Sequence, residues 1–201
     1  MVAEELPTAH CSAVVLAGGD STRMGSDKAR ALLAGKPMLS HVLEQLTPLF
    51  EQVVVSVRRL RSDVVCQQLV DNSADRAPMV GIRRAVAEVS TQWLFVTGCD
   101  MPLISVPLLQ EMASRRGSCD AVVASVGGCA QPLFAFYAKS ALPVLSAHMK
   151  QGQRSMVRLL EVLDCHRVAE EEVRVLDPEL ISFTSIDTVE ELKVAEARYY
   201  G

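Results

Sequence analysis

Apolar residues along this chain gather in two ways, and the two alternate. Ala13–Ala17, Val53–Val57, Trp93–Thr97 and Ala121–Ala124 are short, nearly unbroken apolar runs. Such runs suit parallel strands covered on both faces, since a strand with one wet face would alternate. Between them, Met38, Leu39, Val42, Leu43, Leu46 and Leu49 recur at helical spacing, with Ser40 a candidate cap near the start. Ile82–Val89 and Pro107–Arg115 read as further helices. This alternation predicts a three-layer α/β domain with a mostly parallel sheet.

The second half is less regular. Pro132-Leu133-Phe134-Ala135-Phe136-Tyr137 predicts a strand after a Gly127-Gly128 turn. Ala138–Met149 and Ser155–Leu163 predict helices, and Cys165–Val168 and Ser182–Thr184 short strands. Thr188 followed three residues later by Glu191 is a capping box opening a last helix. No repeat, low-complexity tract or linker interrupts the pattern. Residues 11–201 are therefore expected to form a single domain, with residues 1–10 as a short frayed tail.

Composition narrows the function classes. The chain has 201 residues, 49% of them hydrophobic, enough for one well-formed core. A net charge of −4 gives no reason to expect a nucleic-acid partner. Arg58-Arg59-Leu60-Arg61 and Arg115-Arg116 are expected to be solvated loop or helix ends. No apolar run reaches the roughly 18 residues of a membrane span, and the start has no basic signal region. The six cysteines include no C-x-x-C pair, which reads as reduced thiols in a cytoplasmic protein; Cys99 reads as strand-end packing. No Ser/His/Asp or Cys/His nucleophile set emerges, and His41, His148 and His166 lie in helical or strand patterns without evident partners.

The chemistry lies elsewhere. The first apolar run leads into Leu16-Ala17-Gly18-Gly19-Asp20-Ser21-Thr22-Arg23-Met24-Gly25-Ser26-Asp27-Lys28, ahead of a helical pattern. Glycines let backbone N–H groups approach phosphate oxygens, and Arg23 and Lys28 add positive charge. The loop lacks the Gly-Lys-Ser/Thr ending of a P-loop and the three-glycine dinucleotide spacing. A second signal is Trp93-Leu94-Phe95-Val96-Thr97-Gly98-Cys99-Asp100, an apolar strand ending in one carboxylate. Ligands of open α/β sheets gather at the carboxyl ends of the strands, so Asp100 is expected beside the Gly18-Gly19 loop. A carboxylate there suits Mg²⁺, which takes one or two carboxylates with phosphate oxygens and water.

The loop resembles the first motif of the NTP-transferase-like nucleotidyltransferases. Among them the chain looks most like the molybdenum cofactor guanylyltransferases, over about Cys11 to Leu192. Asp27 before Lys28 favours that branch, because the related cytidylyltransferase and many sugar nucleotidyltransferases more often carry Pro there. The resemblance implies a Rossmann-like sheet of the nucleotide-diphospho-sugar transferase type. It implies transfer of GMP from GTP to the terminal phosphate of the molybdopterin cofactor, with Mg²⁺ and release of pyrophosphate, in the cytoplasm. Partners would be those two substrates and, further on, molybdoenzymes or other cofactor-biosynthesis proteins, with no nucleic acid and no membrane. Carried over, Arg23, Lys28 and Asp100 are catalytic, and Asp100 holds the metal. Leu16, Ala17, Gly18, Gly19, Lys28, Ser56, Asp71 and Asp100 bind the nucleotide. Gly81, Arg154 and Asp187 fall on the acceptor side.

Several positions depart from the family pattern. Ala77 replaces a usual Gly before Pro78, Ser56 replaces an Asn, and Ser185 and Asp187 replace the two asparagines of a late Asn-x-Asn-Thr. Asp187 reads as a second metal ligand or an N-terminal helix residue, the latter favoured. Arg154 reads equally as a phosphate ligand or a surface arginine. The residues leave open CMP transfer to the same cofactor, nucleotide transfer to a sugar phosphate, and a non-catalytic nucleotide or cofactor carrier.

Overall fold

In the computed structural model, which describes residues 6–18, 27–71, 75 and 77–200, the chain opens with β1 (Cys11–Leu16). A small hairpin follows, β2 (Leu32–Leu33) and β3 (Lys36–Pro37), leading into α1 (Met38–Leu46). Then come β4 (Gln52–Val57), β5 (Gln67–Val70), α2 (Pro78–Glu88), β6 (Trp93–Gly98) and α3 (Val106–Ser114). The second half carries β7 (Ala121–Val126), β8 (Cys129–Ala138), α4 (Ala141–Lys150), α5 (Met156–Leu160), β9 (Cys165–Val168), α6 (Glu170–Leu176) and α7 (Val189–Tyr200).

Seven strands form one sheet in the order β5-β4-β1-β6-β8-β7-β9. All run the same way except β8, which is antiparallel to both β6 and β7. The continuous apolar runs are explained by helices on both faces. Ala13, Val15, Val55, Phe95 and Phe136 pack against Val42 and Leu46 of α1, Leu108 and Met112 of α3, and Val173 of α6. Val14, Val54, Val96, Val123 and Tyr137 pack against Ile82 and Val86 of α2, Leu145 of α4 and Leu159 of α5. The three-layer α/β expectation holds.

Differences are local and have physical causes. Leu49 lies past the end of α1, because Pro48 has no N–H to continue the ladder. Ser40 sits inside α1 and caps nothing; Pro37 holds the cap position without a side-chain bond. Ala138 still pairs with Trp93 on β6, so α4 starts later than its spacing suggests. The stretch 182–184 is no strand. The Asp177 carboxylate accepts the N–H groups of Ile181 and Ser182, at 3.0 and 2.9 Å, and winds Ile181–Phe183 into a 3₁₀ turn. Polar composition hid β5 and α6, which bury only Leu69 and Val173 fully. Residues 6–10 are not frayed: Thr8 is fully buried and donates to Leu49 O, and Arg116 donates to Pro7 O. His41 has a partner too, its Nε2 lying 2.7 Å from Leu33 O.

Phe95 anchors one face. Its ring centroid lies 5.0, 5.1 and 5.7 Å from those of Phe136, Phe134 and Phe50. Phe95→Ala is expected to cost about 3–5 kcal/mol, read as a lower urea midpoint at unchanged slope. A loss under about 1 kcal/mol would show that the aromatic cluster is not the anchor.

Candidate active site

Register assembles the site. Leu16 at the end of β1 pairs with Ser56 of β4 on one side and Gly98 of β6 on the other, so three strands finish in one row. The backbone keeps pairing one step beyond: Ala17 N–H donates to Ser56 O at 2.9 Å, and Cys99 N–H to Leu16 O at 3.0 Å. Here the neighbours of β1 connect outward in opposite directions, which opens a crevice at the carboxyl edge. A cleft of about 170 Å³, open at its mouth, occupies it. Leu16, Ala17, Gly18, Lys28, Ser56, Asp71, Gly81 and Asp100 all line this cleft. Gly19 and Arg23 lie outside the described residues.

Two glycines shape the floor. A Cβ on Gly98 would sit 2.3 Å from Asp100 Oδ1, so only glycine lets that carboxylate fold back over the strand end. Gly98 was not singled out as a site residue, although a glycine two places before a strand-end aspartate is a readable sign. A Cβ on Gly81, in the first turns of α2, would sit 2.6 Å from Ser56 Oγ and 3.1 Å from Leu16 Cδ2. Gly81 therefore lets α2 close onto Ser56 and Leu16. Pro78 stands in the first turn of α2 with Ala77 as its cap residue, so the turn survives the loss of the usual glycine.

Lys28 is the centre of the cleft. Asp27 Oδ1 accepts the Ala29 N–H at 3.1 Å and caps a short 3₁₀ turn, Lys28–Arg30. Lys28 Nζ donates to Asp100 Oδ2 at 3.2 Å and to Asp187 Oδ1. Burial alone would depress the ammonium; hydrogen bonding and charge from Asp187 and Asp100 outweigh it and hold its pKa above the ordinary lysine value. Asp187 is thus brought into the site, beyond the helix-terminal role favoured from its spacing. Ile186 N–H donates to Asp100 O at 2.8 Å and docks the segment. The capping box is present: Glu191 Oε2 accepts from Thr188 N at 2.9 Å, and Thr188 Oγ1 accepts from Glu191 N at 3.2 Å.

Other predicted residues fall elsewhere. Arg154 does not line the cleft; it pairs with Asp75 and donates to Met149 O at 2.9 Å. Arg58, expected as solvated, lines the cleft, with Nη1 3.6 Å from Asp71 Oδ2 and Nη2 donating to Asp75 O at 3.1 Å. Burial, and secondarily the charge of Asp100, pushes the Cys99 thiol up to about 12, which agrees with packing and not with nucleophilic chemistry. Among the described residues no three His, Cys, Asp or Glu side chains converge on one point, and no helix is long and apolar enough to cross a membrane.

Residues 13–168 match the model of the MobA-like NTP transferase domain. The chain belongs to that family. A molybdenum cofactor guanylyltransferase of Vibrio vulnificus is 33% identical over 160 residues, 76% of this chain and 80% of its own. A probable molybdenum cofactor guanylyltransferase of Natranaerobius thermophilus is 31% identical over 96% of this chain and 98% of its own. The crystal structure of molybdopterin-guanine dinucleotide biosynthesis protein A from Archaeoglobus fulgidus superposes with a TM-score of 0.83 at 30% identity, covering 94% of this chain and 98% of that one. Family membership accounts for the mostly parallel, Rossmann-like sheet.

Gly81→Ala is expected to destabilise the protein by about 1–3 kcal/mol through overpacking, and Ser56→Ala in the same chain to recover part of it. Additive losses in a denaturant-based double-mutant cycle would show that the two sites do not press on each other. With iodoacetamide at about pH 8, exposed Cys129 should be alkylated and Cys99 spared. Rapid labelling of Cys99, seen by peptide mass spectrometry, would contradict its burial.

Proposed function

We propose that this protein transfers GMP from GTP to the terminal phosphate of the molybdopterin cofactor, releasing pyrophosphate. One observation carries most of the reading: the Lys28 ammonium lies where Asp100 and Asp187 converge, at the sheet edge where the family's glycine-rich loop ends. The guanylyltransferase names of the relatives supply the nucleotide and the acceptor.

The two carboxylates facing one cation also fit a divalent ion. Asp100 would hold Mg²⁺, with Asp187 as a second carboxylate and phosphate oxygens and water completing the shell. When bound, the ion offsets charge on the triphosphate. Lys28 would then bind phosphate oxygens, and Arg23 would add a second cation from the loop. The backbone of Leu16, Ala17 and Gly18 lines the nucleotide's path, Ser56 and Asp71 flank it, and Gly19 is assigned to the nucleotide with them. The acceptor phosphate is already ionised at neutral pH, so the reaction needs no general base. Its oxygen bonds to the α-phosphorus as the bond to the β-phosphate oxygen breaks, and pyrophosphate leaves with that electron pair. Catalysis is then positioning and charge neutralisation, with no covalent enzyme intermediate. In this reading residues 11–201 work as one cytoplasmic unit, whose product passes to molybdoenzymes or to other cofactor-biosynthesis proteins.

The test is pyrophosphate release from GTP, CTP, ATP and UTP with Mg²⁺ and molybdopterin cofactor. Release is expected with GTP alone. In Asp100→Ala it should fall by about 10²-fold or more, with unfolding temperature retained. Preference for CTP would reassign the protein to cytidylyl transfer, and GTP binding without release would make it a carrier.

A further inference from the structure

Arg61 was expected in water, yet its side chain is only 10% exposed. Nη1 donates to Asp27 Oδ2 at 2.6 Å and Nη2 to Asp63 Oδ2 at 3.1 Å. Its backbone is held as firmly. The Gln68 side-chain amide on β5 accepts from Arg61 N–H at 2.8 Å and donates to Arg61 O at 2.9 Å. Asp27 thus has two duties: one oxygen caps the turn that begins with Lys28, and the other is tied through Arg61 to the β4–β5 edge of the sheet. Arg30 closes the cluster, with Nε 3.3 Å from Asp63 Oδ2.

We infer that Arg61 is a positioning residue, which acts through Asp27 to fix the backbone that aims Lys28 at Asp100 and Asp187. The chemistry calls for arginine. A planar fork spans two carboxylates at once, whereas an ammonium is a point charge that meets one well. The contact also gives a physical reason for an aspartate before Lys28: proline there would have neither the carboxylate for the cap nor the one for Arg61. Burial tends to lower the Arg61 pKa, but bonds to Asp27 and Asp63 raise it overall, so the fork stays charged.

The inference rests on Lys28 serving the nucleotide as proposed, and its test has one readout that does not. In Arg61→Met, Lys28 should react severalfold faster with an amine-acylating reagent, scored by peptide mass spectrometry, because its hold on the two carboxylates loosens. Turnover with GTP should drop about 10- to 100-fold in kcat with a smaller change in KM, as expected for a displaced transition-state group. Adding Arg61→Met to Lys28→Ala should cost less than about twofold further, since both changes remove one function. Arg61→Lys should fall in between. Asp27→Asn keeps the cap acceptor but loses the charge facing Arg61, so it should reproduce the loss should Arg61→Met not fold. Unchanged Lys28 reactivity in a folded variant, or equal losses with and without Lys28, would overturn the positioning role. Absence of pyrophosphate release in the unaltered protein would instead refute the proposed reaction, with the Lys28 labelling still deciding the role of Arg61.

Discussion

The site is organised around one cation between two carboxylates. Asp100 and Asp187 come from positions 87 apart in the chain, and both reach Lys28, from a third segment. Two half-buried carboxylates placed this close repel unless a positive charge lies between them. Lys28 supplies that charge, and in the proposed reaction its ammonium also serves phosphate oxygens. The glycine at 98, the backbone bond from Ile186 to Asp100 and the capping box behind Asp187 all serve this meeting point.

The rest of the fold holds three strand ends still. Leu16, Ser56 and Gly98 stand in one row because β1 pairs in register with β4 and β6, and both faces of those strands are sealed by helices. Packing at interior density transmits any displacement, so the cleft inherits the rigidity of the sheet. Gly81 brings α2 down on that row, and Arg61 with Asp27 ties the Lys28 turn to the same edge. Positioning is what such a reaction needs, since the acceptor arrives already ionised.

Departures from the family pattern take on physical meaning in this setting. Ser56 stands where the family has an amide, and its hydroxyl lies against Gly81, where a Cβ would come within 2.6 Å of it. Asp187 in place of the second asparagine adds a negative charge where Asp100 already supplies one, and both carboxylates pair with Lys28. Arg154, expected on the acceptor side, is engaged by Asp75 and does not line the cleft.

Residues local to one element were legible in the sequence. The buried parallel strands announced themselves by unbroken apolar runs, the β7–β8 turn by Gly127-Gly128 with both φ positive, and α7 by Thr188 and Glu191; α2 was legible over Ile82–Val89, but it begins four residues earlier, at Pro78. Asp100 and the Gly18 loop were legible too, because strand ends and glycine loops collect at one edge of such a sheet. What depends on distant partners was not. Polar β5 and α6 bury little surface of their own and take their form from neighbours. Thr8 is held by Leu49 and Arg61 by Asp27, across 41 and 34 positions. Spacing along a chain encodes which face a residue presents, and so it determined the layers, the loop and the strand-end carboxylate. It does not encode which charge meets which across the fold, and so only the tertiary structure decided that Asp187 joins Asp100 at Lys28 and that Arg154 does not.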